Sequence, residues 1–219
     1  NSRYNTAVGE NSLSSITTSA YDNTAFGYRA LRDNTSGKYN TAMGRGALRD
    51  NVTGEFNSAF GKQALSYNSG SYNTASGAGS LSYNTSGAYN SAFGYHALND
   101  NRTGSDNTAI GVEALGNNRE SYNTAVGYKS LYENNDGSYN TSIGWQSGYL
   151  AEGSGNVFIG SKAGYSETGS NKLYISSYDV SNNTERNLIY GDFSTGDLSL
   201  GQTSGTVTIL NDADIDGTL

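Results

Sequence analysis

Tyr39-Asn40-Thr41-Ala42-Met43-Gly44, followed by Ala47-Leu48 and by Asn51-Val52-Thr53-Gly54, is one full period of this chain. Working outward, the first six residues return upstream as Tyr4-Asn5-Thr6-Ala7-Val8-Gly9 and Asp22-Asn23-Thr24-Ala25-Phe26-Gly27. Downstream they return at Asn57, Asn73, Asn90, Asn107, Asn123 and Asn140, and in weaker form at Asn156. The steps between these asparagines are 18, 17, 17, 16, 17, 17, 16, 17 and 16 residues. A repeat this short cannot hold the two helices of the roughly 33–47-residue helical repeats. It suits one lap of an all-β parallel β-roll or β-solenoid, with two short strands and two turns expected per coil.

Alternation assigns the faces. In Asn-Thr-Ala-φ-Gly, with φ apolar, Thr and φ share one side of a strand, and Asn, Ala and Gly share the other. The φ file is Val8, Phe26, Met43, Phe60, Ser76, Phe93, Ile110, Val126, Ile143 and Ile159. Nine of its ten members are apolar, so this face is expected to point inward, with Ser76 marking a local void. A second file, Leu31, Leu48, Leu65, Leu81, Leu98, Leu115 and Leu131, is expected to meet it from across the coil. The Asn/Ala/Gly face, small and flat, is expected to pack against identical chains, for which a homotrimer is the most economical closed form.

The turns carry their own signals. Each motif ends in a Gly, which permits positive φ or close approach of another backbone. Asn-x-x-Gly, as in Asn34 to Gly37 and Asn101 to Gly104, is β-turn chemistry. The one-residue changes of period fall in this turn segment, where they leave strand faces unflipped. Stacked asparagines are expected to bond amide to amide along the coils.

Composition narrows the function. The 219 residues include 29 Gly, no Pro, no Cys and one His, and carry a net charge of -7. Disulfide scaffolds, thiolate metal sites and cysteine nucleophiles are excluded. The acidic balance argues against nucleic acid or an anionic membrane as partner, and no apolar run reaches the roughly 20 residues of a membrane-spanning helix. Hydrophobic residues at 34% are few for a globular domain, but strict periodicity and 11% aromatics argue against disorder. The chain begins at Asn1 without a signal-peptide pattern and reads as an excised or processed piece.

Asn-Thr-Ala-φ-Gly-x-x-Ala/Ser at near-constant period resembles the Ser-Val-Ala-Ile-Gly-x-x-Ser head repeat of trimeric autotransporter adhesins. The likeness covers residues 4–165, with longer loops here and Thr where that family has Val. It implies a left-handed parallel β-roll that trimerises into a rod. Asn171-Lys172-Leu173-Tyr174-Ile175 and Asn187-Leu188-Ile189-Tyr190-Gly191-Asp192-Phe193 are similar to the segment upstream of the endosialidase-type intramolecular chaperone of phage tail fibres and bacterial surface fibres. That resemblance implies an extracellular trimeric fibre, trimmed after assembly.

Two regions follow: a β-roll repeat domain over 1–165, about ten coils, and a β-rich capping or stalk region over 166–219. Four strands are expected in the second, at Lys172–Ile175, Asn187–Tyr190, Asp197–Leu200 and Thr206–Leu210. The acidic Asp212–Gly217 run is read as a solvated linker; it lacks the downstream Glu of a calcium loop.

For sites, His96 has no patterned partner and is read as a surface histidine. Asp33, Asp50, Asp100 and Asp136 sit in repeat turns, where Asp is expected anyway. Sequons at Asn34, Asn51, Asn84, Asn101 and Asn182 follow from composition. Tyr28, Tyr95, Tyr128 and Trp145 each follow a motif Gly and are candidates for stacking on sugar rings, against the alternative of packing on a neighbouring turn or chain. No catalytic residue, cofactor or metal is expected. The leading expectation is an adhesive and structural fibre segment on a virion tail or bacterial surface that contacts a cell-surface receptor of glycan type. A polysaccharide depolymerase with paired carboxylates and an ice-binding solenoid with a Thr ladder are the alternatives. The second is weakened by the expectation that Thr shares the inward φ face.

Overall fold

The structure is a computed structural model and describes residues 4–179 and 184–201, without the side chains of residues 179, 184 and 185. It is all-β. Thirteen strands form one sheet in strict sequence order. The first ten, from β1 (Thr6–Val8) to β10 (Val157–Ile159), are three residues long and belong to ten successive coils. Neighbours pair in parallel and in register, Thr on Thr or Ser, Ala on Ala and φ on φ, as in Thr24↔Thr41, Ala25↔Ala42 and Phe26↔Met43. Each coil contributes one strand, not the expected two; the Leu-bearing half is a run of turns.

The motif Gly sets the strand length. The motif glycines from Gly9 to Gly144 have φ between 124° and 143°, and a Cβ on any of them would sit 2.3–2.7 Å from the next coil's glycine backbone. No side chain fits there, so each strand stops at the same place in every coil. Both roles expected for this glycine hold at once.

The turns are left-handed at recurrent non-glycine positions. In the second coil and at the start of the third these are Arg29, Leu31 and Tyr39, with φ of 56°, 48° and 57°. Such a conformation costs roughly 1–2 kcal/mol per residue. It is offset by hydrogen bonds along the stack, because the turn N–H groups donate to adjacent coils. Arg29 N–H donates to Glu10 O (2.9 Å), Leu31 N–H to Ala47 O (3.0 Å) and Tyr39 N–H to Tyr21 O (3.3 Å). Turn and strand therefore belong to the same ladder.

The interior reverses the expected faces. The middle strand residue is buried: Ala42, Ala59, Ala75, Ala92 and Ala109 have no exposed surface. The Leu file from Leu31 to Leu131 is fully buried against it, as expected. The φ file points outward. Val8, Phe26, Met43, Phe60, Phe93, Ile110 and Ile143 are 40–55% exposed, Ile159 is exposed, and Val126 is half-buried. The period-two alternation holds, with Ala inward and φ outward. A three-residue strand with period two turns one residue inward, and the space between strand and turns already holds a Leu. Ala fits beside it and Phe does not. Ser76 lies on the outer face, so it opens no void.

The Asn/Ala/Gly face accordingly lines the coil itself and is not available to other chains. Its asparagines are buried because their polar atoms are matched. Asn40 donates Nδ2–H to Gly54 O (2.8 Å), and its Oδ1 accepts from the backbone N–H of Asn57 (3.0 Å). A second file, Asn51, Asn68, Asn84, Asn101, Asn118 and Asn134, forms the expected amide ladder, with Nδ2···Oδ1 distances of 2.8–3.3 Å, while each member also donates to a turn carbonyl within its own coil. A buried amide without partners costs about 1–3 kcal/mol; here repetition supplies the partners.

At the C-terminal end the sheet continues. β11 (Lys172–Asp179) pairs in parallel with β10, so the last coil edge is covered. The chain then turns back as β12 (Thr184–Asp192) and β13 (Asp197–Leu200), both antiparallel. Three of the four expected strands are present, two of them longer than read. The fourth, Thr206–Leu210, and the Asp212–Gly217 run lie outside the described residues.

Candidate functional site

Three surface features run along the stack, and each follows from the in-register repeat. The first is the outer strand face, with Thr or Ser and φ side by side in every coil. The Thr/Ser file is exposed at Thr6 and Thr24 and half-buried from Thr41 to Thr141. With coils about 4.8 Å apart, ten of them give a face on the order of 45 Å long. Its apolar side chains form a stripe interrupted at Ser76, of the kind that marks an interaction surface when it is large.

The second feature is an aromatic ladder that sequence reasoning passed over. The residue before each motif Asn is Tyr39, Phe56, Tyr72 and Tyr89 in four consecutive coils. Their rings stack at centroid distances of 4.6, 5.0 and 4.9 Å, nearly parallel. Tyr122 and Tyr139 stack in the same way at 4.8 Å. The signal was the recurrence of an aromatic at a fixed phase. Inside a run each ring face is covered by its neighbour, so the rings there present edges to solvent, while Tyr89, Tyr122 and Tyr139, next to Asp106 or Gly155, end the runs.

The third is the corner just after the motif Gly, which carries the aromatics proposed for glycan contact. Tyr28, Tyr95, Tyr128 and Trp145 do share one column. They are not brought together: Arg45, Lys62 and Ala78 separate Tyr28 from Tyr95, and Val112 separates Tyr95 from Tyr128. Only Tyr128 and Trp145 are in adjacent coils. Each has a partner over or beside its ring. Arg29 and Arg45 lie 4.8 and 5.8 Å from the Tyr28 centroid, His96 stacks on Tyr95 at 4.0 Å, Lys129 approaches Tyr128 (5.5 Å) and Lys162 approaches Trp145 (5.3 Å).

His96 is half-buried in the neighbouring column, that of Arg29, Gly46 and Gln63, against Gly79 and beside Glu113 and Tyr132. Of the four turn carboxylates, Asp33, Asp50 and Asp100 are engaged by cations and Asp136 is exposed without an ion pair among the described residues. Asp50 accepts from Arg49 (2.6 Å) and Arg32 (3.0 Å), and Asp100 from Arg102 (2.9 Å). Arg32 hydrogen-bonds Asp33 and holds its carboxyl below the usual carboxylate range. Asn34, Asn51, Asn84 and Asn101 have buried, hydrogen-bonded amides, so these sequons are closed to glycosylation in the folded chain; Asn182 lies outside the described residues. Among the described residues no group of three or more His, Asp and Glu could hold a metal ion, and no helix is long and apolar enough to cross a membrane.

The fold defines the chain as a parallel β-solenoid of about ten coils of some 17 residues. Comparison with protein-family models, with curated proteins and with solved structures found no match to any of them.

Proposed function

We propose that this chain is the rigid, adhesive segment of an extracellular homotrimeric fibre, on a phage tail or a bacterial surface, that attaches to a cell-surface receptor of glycan type. The observation that carries the reading is the outward φ stripe. Phe26, Met43, Phe60, Phe93, Ile110 and Ile143 stand in register along the stack at 40–55% exposure. An apolar stripe of that length on a lone chain invites association, and a three-fold arrangement lets every copy cover the same stripe. The likeness of the repeat to trimeric adhesin heads supports the same assembly and its location outside the cell. Attachment then gains from three-fold multivalency, and no catalysis is required.

Native mass spectrometry tests the assembly. The intact chain is expected at three times 23.1 kDa, and Phe93→Asp is expected to give a folded monomer. A wild-type chain that is monomeric at micromolar concentration would overturn the reading.

A second reading draws on the same face. The Thr/Ser file points outward at one-coil spacing, which removes the objection that it is turned inward and favours an ice-binding solenoid. Against it, the rings of Phe26, Phe60 and Phe93 break the flatness of the array. Thermal hysteresis in the wild type, lost in Thr108→Tyr, would favour this second reading.

A further inference from the structure

Six of the thirteen Lys and Arg residues, Arg29, Arg32, Lys38, Arg45, Arg49 and Lys62, fall in three consecutive coils of a chain with net charge -7. Arg29, Arg45, Arg49 and Lys62, with Tyr28 and Gly46, line a depression of about 170 Å³. A cavity of about 150 Å³ accepts a six-membered ring.

The opening has a specific cause. Gly46 occupies a left-handed column position, φ 67°, that holds Arg29 one coil before and Gln63 one coil after. A Cβ on Gly46 would meet only Gln63 Cγ, at 3.7 Å. The missing side chain makes the depression, and the backbone there tolerates others, since Gln63 has φ 58° in the same column.

Of the four cations that line the depression, only Arg49 is compensated, by Asp50. Asp50 is shared between Arg49 and Arg32, and Asp33 is taken by Arg32. Glu10, one coil before Tyr28, accepts from Asn11. Arg29, Arg45 and Lys62 make no ion pair among the described residues, and Arg29 Nε is buried without a hydrogen-bond acceptor. Two guanidinium groups also crowd one ring, that of Tyr28. An anion placed among them relieves repulsion and meets planar forks suited to a carboxylate. The patch spans only three coils of an acidic chain, which disfavours a long, densely charged polyanion such as nucleic acid and suits a ligand that presents one or a few charged units to it.

We propose that this depression binds a carboxylate-bearing sugar, of uronic-acid type, within a polysaccharide. The sugar ring lies over Gly46 and its carboxylate faces Arg29 and Arg45. The assignment rests on the attachment reading above and gives it a ligand class.

Calorimetric titration of the full chain with tetragalacturonate tests it, with cellotetraose, a sulfated chondroitin tetrasaccharide and a thymidine octanucleotide as comparisons. Tetragalacturonate is expected to bind most tightly. Arg45→Gln and Gly46→Gln are each expected to weaken it roughly tenfold or more, a loss of about one hydrogen-bonded ionic contact, with circular dichroism and native mass unchanged. Equal binding of cellotetraose, tighter binding of the sulfated sugar or the octanucleotide, or unchanged affinity in Gly46→Gln would overturn the assignment. Equal attachment of wild-type and Gly46→Gln chains to cells would also overturn it and leave the attachment reading standing. Tetragalacturonate binding by a wild type that attaches to no cell would overturn the attachment reading alone.

Discussion

Gly164 and Phe158 share one space. A Cβ on Gly164 would lie 2.3 Å from Phe158 Cδ1, and one on Gly148 would lie 2.7 Å from Phe158 Cδ2. Phe158 stands in the column that holds Ala in earlier coils, while Gly148 and Gly164 stand in the column that holds Leu. The last coils thus fill the same cross-section with the large residue on the strand side instead of the turn side. Both glycines are left-handed, φ 57°, close to the 47–50° of the leucines they replace.

That exchange gives the first prediction. Gly164→Leu keeps a permitted backbone but overfills the coil, and is expected to destabilise by about 1–3 kcal/mol. Adding Phe158→Ala should return much of the loss. Urea unfolding of the two single variants and the double variant measures the coupling; strictly additive effects would refute the shared space.

The buried amide ladder gives the second. Asn101 Nδ2 donates to Gly104 O (2.7 Å) and Asn84 Oδ1 (3.1 Å), and its Oδ1 accepts from Asn118 (2.9 Å). Asn107 Nδ2 also donates to Asn101 Oδ1 (3.3 Å), so Asn101→Leu takes a bond from four partners, of which Gly104 O, Asn107 and Asn118 keep another and Asn84 Oδ1 keeps none; it is expected to lose about 2–4 kcal/mol, at 1–3 kcal/mol for a buried group left unpaired. Asp136→Asn on the exposed turn should change the midpoint little, within about 0.5 kcal/mol.

The motif glycines give a third. Gly94→Ala would set its Cβ 2.4 Å from Gly111 O at a φ of 139°. Strain and clash together are expected to cost about 3 kcal/mol or more, read as a fall in melting temperature. Gly46→Ala, with only a 3.7 Å contact, should be far milder.

The two apolar files separate stability from assembly. Leu98→Ala, in the core, is expected to lose about 2–5 kcal/mol. Phe93→Ser, on the outer stripe, should leave the circular dichroism spectrum intact and lower the native mass instead. If Phe93→Ser unfolded an already monomeric chain, the outward placement would be wrong.

At the C-terminal hairpin the Lys172 ammonium, followed by Ser194, holds Asp192 down to about 2 from an ordinary 3.8. The folded value is the depressed one. The contribution is therefore complete above pH 3.8 and is lost as pH falls toward 2. Carboxyl carbon NMR should follow this titration, and Lys172→Met should raise the midpoint.

Much of the architecture was legible because a 17-residue recurrence permits few structures. In-register stacking, the role of the motif Gly, the turn position of the length changes, the amide ladder and the buried leucines all follow from residues that return at fixed phase. The stacked Tyr39, Phe56, Tyr72 and Tyr89 recur at a fixed phase too, but a position just outside the strand carries no alternation to say whether its rings face one another or solvent.

The sequence by itself determined the period, the alternation and the identity of the files. Tertiary structure alone decided which file faces in, because periodicity carries no sign: an apolar Phe and a small Ala alternate equally well either way. Cross-section supplied the sign. A coil with one three-residue strand and a Leu already inside has room for Ala and for hydrogen-bonded Asn, and none for Phe26 or Phe93. The basic depression was likewise decided only by the stack, since Arg29, Arg45 and Lys62 are distant in sequence and become neighbours when each coil lies on the last.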